Sequence, residues 1–141
     1  MKFFPSFILV LAISCSEEEP TAKNVDRVKH LFASFNDHAW ETMANDYAEN
    51  ASFLDPSFGR EYVYKTRQET IIKYTKFQKV FPDMHDELTG VYESGDKVIV
   101  EFVSTGTSAD GKSFRLPIVS ILTLKEDLVV KDATYYDQSN P

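Results

Sequence analysis

The chain has 141 residues, room for one domain of ordinary size and not for two. Hydrophobic residues at 43% and aromatics at 13% supply enough apolar material for a core and exclude a disordered chain. Fifteen Lys plus Arg against 22 Asp plus Glu give a net charge of −7, so a phosphate backbone meets repulsion and no nucleic-acid partner is expected.

At the N-terminus one basic residue, Lys2, precedes an unbroken apolar run at 7–13 and then Ser14 and Cys15, the profile of a signal peptide. The run is well short of the roughly 20 apolar residues that span a bilayer, which argues against a permanent membrane helix. LAISC at 11–15 resembles the bacterial lipobox, with Ala12 where leucine is commonest. That resemblance implies a signal peptide over 1–15, lipidation of Cys15 and attachment to the membrane at the cell envelope, facing the periplasm or the surface. The other reading is a secretory signal cut near Ser14, giving a secreted protein. With a single cysteine no intramolecular disulfide can form, and the domain must be held by its core. Residues 16–22, opened by Ser16 and three glutamates, read as a flexible acidic tether.

Residues 23–138 are expected to fold as one unit. Val25, Val28, Leu31, Phe32 and Phe35 recur at three- and four-residue intervals and predict the apolar face of a first helix ending near Asn36. Asp37 is placed to cap a short second helix carrying Trp40, Met43, Ala44 and Tyr47. Residues 51–55 read as a brief strand closed by Pro56, and Gly59 marks a loop. Thr66 and Glu69 have the spacing of a capping box, in which each side chain satisfies the other's backbone amide, so a third helix starts there. It runs to about Phe81 and is stopped by Pro82.

From residue 84 the pattern changes to strands at 84–92, 97–107, 114–125 and 128–136, separated by turn compositions. Four such strands in sequence make an antiparallel meander. Val98, Val100, Phe102 and Ser104 alternate with Ile99, Glu101, Val103 and Thr105, and the first set is read as core-facing. The second set is half apolar, which a partner subunit laid on the outer face would explain, so a homodimer is expected there. Asp86 falls where alternation with Met84 and Leu88 calls for an apolar side chain. A buried unpaired carboxylate is costly, so Asp86 either faces a cavity or is turned outward by a bulge.

FNDHAWE at 35–41, DYAENASFLDP at 46–56, FPDMH at 81–85, GDKVIVEF at 95–102, TGT at 105–107, VV at 129–130 and YYD at 135–137 look like successive landmarks of SnoaL-like domains. The resemblance spans nearly all of the chain beyond the tether. It implies the α+β cone of the nuclear-transport-factor-2-like superfamily, a curved antiparallel sheet packed against three N-terminal helices. This fold hosts polyketide cyclases, ketosteroid isomerase, dehydratases and binding modules, so chemistry has to be argued residue by residue.

Ketosteroid isomerase is similar around FLDP at 53–56, which implies Asp55 as a proton-shuttling base. A base in an apolar cone should have a raised pKa, whereas an aspartate that caps a turn before proline should have a lowered one. The isomerase's oxyanion donors fall at Leu31 and at Val119 or Ser120, so steroid isomerisation is not expected. The cyclases resemble the last strand, where they carry an inward histidine and aspartate. Alternation here turns Asp132, Thr134 and Tyr136 inward, or else Ala133, Tyr135 and Asp137, the first set being preferred. Asp132 then stands at the family's histidine and Thr134 at its aspartate.

His30, His38 and His85 show no paired metal-ligand spacing, and no glycine-rich phosphate loop or nucleophile motif is present, so neither metal nor cofactor is expected. Trp40, Tyr47, Tyr74, Phe77 and Phe81 occur at helical spacing and read mainly as core, with some facing the cone's interior. The expected ligand wall is Trp40, Tyr74, Phe77, Asp86, Phe102, Ser120 and Thr134. Two functions remain. One is a lipoprotein that binds a small hydrophobic molecule in the cone, and the other a cofactor-independent acid/base enzyme using Asp55, Asp132 and Tyr136.

Overall fold

The structure, a computed structural model, describes residues 21–137. The expected signal peptide, the lipidation at Cys15 and most of the tether lie outside the described residues. Helix α1 spans Thr21–Asn36 and so begins inside the stretch expected as tether. Its apolar stripe behaves as the spacing predicts: Val28, Leu31, Phe32 and Phe35 are buried, with Val25 packed at the edge. Each such side chain removed from water contributes about 1.5–3 kcal/mol.

After α1 the chain reverses through His38 in the left-handed region at φ 55°. Helix α2, Trp40–Ala44, follows with Ala39 at its N-cap and no side-chain cap, so Asp37 does not cap it as expected. Tyr47, expected on that helix, instead opens strand β1, Tyr47–Leu54. The reason is the pinning of Asp46. Its carboxylate is held by Arg27 at 2.8 Å and His30 at 2.7 Å, and its carbonyl accepts the Val129 amide at 2.9 Å, which draws the chain out of the helix and into the sheet. Strand β2, Val63–Thr66, lies in the segment read from sequence as loop, and it pairs antiparallel with β1. It is a four-residue edge strand and carries little of the alternation that marks a longer one.

Helix α3, Arg67–Val80, starts at the anticipated capping box: the Glu69 amide donates to Thr66 Oγ1 at 3.2 Å and the Thr66 amide to Glu69 Oε2 at 2.9 Å. Strands β3 (His85–Ser94), β4 (Lys97–Thr107), β5 (Ser113–Lys125) and β6 (Leu128–Tyr135) form the meander. The sheet order is β2-β1-β6-β5-β4-β3, and β1 runs parallel to β6. The sheet is therefore mixed and not wholly antiparallel as expected. The Asp46–Val129 bond explains this, because β1 and β6 both leave that point in the same direction. Val98, Val100, Phe102 and Ser104 are buried on the inner face, against which α1 packs with Phe32 edge-on to Phe102 at 4.9 Å between centroids.

Candidate functional site

Between α1, α3 and the inner face of the sheet lies a cavity of about 620 Å³. Phe32 and Phe35 of α1, Tyr74 and Phe77 of α3, and Phe102 and Phe114 of the sheet supply much of its apolar wall. Four of its lining residues, Ser57, Phe77, Arg115 and Asp137, are exposed. The polar groups inside fall into two clusters at opposite ends of the sheet.

The first cluster is built on β1 and β6. The preferred inward set lines the wall: Asp132, Thr134 and Tyr136 face the cavity, whereas Tyr135 is 50% exposed on the other side. Asp137, from the opposite set, joins the lining once β6 has ended. Tyr47 Oη donates to Asp132 Oδ2 at 2.8 Å and Thr134 Oγ1 donates to Oδ1 at 3.0 Å, with Ser120 Oγ 2.6 Å from Thr134 Oγ1. Burial raises the Asp132 pKa, and the Tyr47 and Thr134 bonds only partly oppose this. The Tyr47 phenol is pushed well up by burial and then by the Asp132 charge.

Asp55 closes this end of the cavity. It follows β1 and caps the single 3-10 turn Pro56–Phe58, with the Ser57 amide donating to Oδ1 at 2.7 Å. Tyr136 Oη donates to the same oxygen at 3.1 Å, and Lys73 Nζ meets Oδ2 at 3.2 Å. Burial works to raise the Asp55 pKa, but the Lys73 ammonium and the Ser57 bonds together outweigh it and leave the carboxyl below its ordinary range. This is the behaviour of a turn-capping aspartate, and an ionised, fully engaged carboxylate is a poor acceptor for a substrate proton near neutral pH.

The second cluster lies where β3 meets β4. Asp86 pairs across the strands with Ser104 and points inward, so the cavity and not a bulge accounts for it. The irregularity in β3 comes later, between Leu88 and Gly90. Asn36 at the end of α1 fixes the Asp86 backbone, accepting its amide at 2.8 Å and donating to its carbonyl at 2.9 Å. The residue is 7% exposed, and Oδ1 has no hydrogen-bond partner among the described residues. Burial raises the Asp86 pKa to about 6, against a smaller opposing contribution from the Ser104 hydroxyl.

Of the expected ligand wall, Tyr74, Phe77, Asp86, Phe102, Ser120 and Thr134 line the cavity. Trp40 does not. It is buried behind Tyr74, stacked at 5.6 Å, with Nε1 donating to Gln78 Oε1 at 2.8 Å. Sequence reasoning missed Lys73, and it read Tyr47 and Ser104 as core-facing positions without giving them a place in the site. Lys73 could have been found, since it lies three residues after Thr70 and four before Phe77 on the inward stripe of α3. His38 is structural, with Nε2 2.9 Å from the Met84 carbonyl and Nδ1 receiving Gln78 at 3.0 Å. Among the described residues no group of three His, Cys, Asp or Glu side chains is placed to hold a metal ion.

Three helices on a six-stranded mixed curved sheet that encloses a cavity define the nuclear-transport-factor-2-like α+β cone. Residues 28–131 match the SnoaL-like domain, and the chain belongs to that family. Solved structures agree in fold. A Catenulispora acidiphila protein of ketosteroid isomerase-like fold, solved in complex with trimethylamine, superposes with a TM-score of 0.71 at 20% identity over 81% of this chain and 87% of that one. IdmH of Streptomyces antibioticus, a candidate polyketide cyclase, gives 0.71 at 21% identity over 81% and 91%. A Burkholderia pseudomallei protein of the same fold and unknown function gives 0.68 at 15% over 82% and 92%. No curated protein matches the chain in sequence.

Proposed function

We propose that this domain binds a small, largely apolar molecule in the cone cavity and holds it without transforming it. The observation that carries this reading is the state of Asp55. The residue best suited by family resemblance to act as base is tied to Ser57, Lys73 and Tyr136, with its pKa lowered. Meanwhile the cavity, at about 620 Å³ with aromatic walls and a few convergent polar groups, has the form of a small-molecule site. We further propose that lipid on Cys15 attaches the domain to the membrane at the cell envelope, a reading supported by the apolar run at 7–13 and the lipobox-like LAISC. A second copy is proposed to cover the outer sheet face, where Ile99, Val103 and the half-exposed Tyr92 and Tyr135 lie.

Native mass spectrometry with solvent extraction, on protein purified from its own host, tests the binding reading without a guess at the ligand. A stoichiometric co-purifying apolar molecule recovered unchanged is the expected result. An empty protein that also refuses hydrophobic probes would overturn it, and steady conversion of the recovered molecule would replace binding with catalysis.

A further inference from the structure

The two carboxylates at the β1–β6 end are provided for by the protein itself, and Asp86 is not. It sits on the inner face opposite Ser104, more than nine-tenths buried, with Oδ1 lacking any partner among the described residues. No cation of the described chain forms an ion pair with it. Lys73 is engaged by Asp55 at 3.2 Å, and Arg115, rooted opposite Thr105 on the outward side of β5, reaches the cavity at its mouth, where it is exposed. The other ionisable groups around the cavity, Asp55, Asp132 and Asp137 with the phenols of Tyr47, Tyr74 and Tyr136, are acidic.

What surrounds Asp86 is aromatic. On the inner face of β4, Ser104 is flanked two residues away on one side by Phe102 and on the other by Gly106. The absent Gly106 side chain leaves room for two rings: a Cβ there would stand 2.6 Å from Phe114 Cε1 and 3.2 Å from Phe81 Cβ. Phe81 and Phe114 meet edge to face at 5.0 Å, and Phe77 lies beside Phe81 at 5.0 Å with its ring tilted by 56°. Rings of this kind offer no hydrogen bonds, but their faces attract cations. A buried carboxylate with one unsatisfied oxygen, set among phenylalanines and ion-paired with no cation of the described residues, is costly unless a positive group completes it.

We propose that the cavity's ligand carries a protonated amine, seated between the unpartnered oxygen of Asp86 and the rings of Phe81, Phe102 and Phe114, with its apolar body extending toward Tyr74. The inference deepens the binding reading and rests on it. It also gives the polar groups of the cavity separate tasks. Asp55 and Asp132 are completed internally and shape the wall, whereas Asp86 recognises charge. The raised pKa of Asp86 is the state of the empty site, and an ammonium bound there would draw it down.

The test uses a near-isosteric pair, 4-phenylbutylamine and 4-phenylbutan-1-ol, titrated calorimetrically into the full chain shown by extraction to be empty. At pH 8 the amine should bind at least about tenfold more tightly than the alcohol, the usual scale for a hydrogen bond to a charged group. The preference should shrink below pH 5, because the amine stays charged while Asp86 takes up a proton. Asp86→Asn should remove the preference, with the amine losing more affinity than the alcohol. Carboxyl NMR on the unaltered protein gives an independent reading, with saturating amine expected to lower the Asp86 pKa by about one pH unit for each tenfold of preference. Equal binding of both probes at pH 8 with an unmoved Asp86 titration would overturn the amine assignment and leave the cavity reading standing. Refusal of both probes at 10 mM, ~four orders above a micromolar ligand, would overturn the two together.

Discussion

The β1–β6 end of the cavity and the β3–β4 end carry the same chemical group in opposite conditions. Asp132 receives Tyr47 and Thr134, and Asp55 receives Ser57, Tyr136 and Lys73. Asp86 has Ser104 and an oxygen that nothing in the described chain meets. A polar group whose partners are all internal is part of the scaffold, whereas one left incomplete at a cost to stability is where a ligand has something to add. By that criterion recognition belongs to the β3–β4 end, although family resemblance directs attention to the other.

The largest expected effect comes from removing the incomplete charge. The Asp86 pKa is raised from 3.8 to about 6, and that interval corresponds to about 3 kcal/mol. Because the folded-state value is the higher one, the stabilising contribution of protonated Asp86 is fully present below pH 3.8 and is lost as pH rises through about 6. Asp86→Asn, which mimics the protonated form, should therefore be more stable than the parent by up to about 3 kcal/mol at pH 8 and indistinguishable from it near pH 3.5. Urea unfolding at the two pH values measures this. Equal midpoints at pH 8 would mean that Asp86 is solvated or paired after all, and the contrast between the two ends would collapse.

Tyr47→Phe attacks the contrast from the other side. It removes the 2.8 Å donor to Asp132 and leaves a cavity-facing carboxylate with Thr134 as its remaining internal donor. A loss of about 2 kcal/mol at pH 7 is expected, the usual scale for a hydrogen bond to a charged group. The Asp132 pKa, already raised by burial, should rise further, so the loss should diminish toward low pH as Asp132 takes up its proton. If the variant unfolds at the parent's denaturant concentration, Asp132 is no better provided for than Asp86.

Much of this architecture was legible in the sequence, and the exceptions have definite causes. The α1 stripe, the capping box at Thr66, the meander and the inward row at Val98, Val100, Phe102 and Ser104 all follow from local periodicity, which the core enforces. The parallel β1–β6 pairing was not legible, because it joins segments about 80 residues apart and depends on how Asp46 is held by α1. Asp86 stood out as a carboxylate in an apolar register. Its unsatisfied oxygen could not be foreseen, since that depends on what β4 and α1 place around it. For Asp55 the two readings differed only in the sign of a pKa shift, and the Ser57 amide and the inward Lys73, a residue the periodicity did not single out, set that sign.

Lys73→Met is the smallest of these perturbations and separates the two supports of Asp55. The ion pair is partly accessible, with the lysine side chain 30% and the aspartate 17% exposed, so its removal should cost about 1 kcal/mol or less at pH 7. A carboxyl whose folded-state pKa is depressed contributes stability above its unfolded pKa and loses it as pH falls through the folded value. Removing the ammonium should move that folded value upward, so acid destabilisation begins at a higher pH in the variant and the difference from the parent closes once Asp55 is protonated in both. Carboxyl NMR then decides what holds Asp55 down. If its pKa returns to the ordinary range or above, burial prevails once the cation is gone, and this end is kept quiet by one lysine that a related sequence could lose to regain a base. If the pKa stays low, the Ser57 amide and Tyr136 suffice, and the turn itself fixes Asp55 as scaffold.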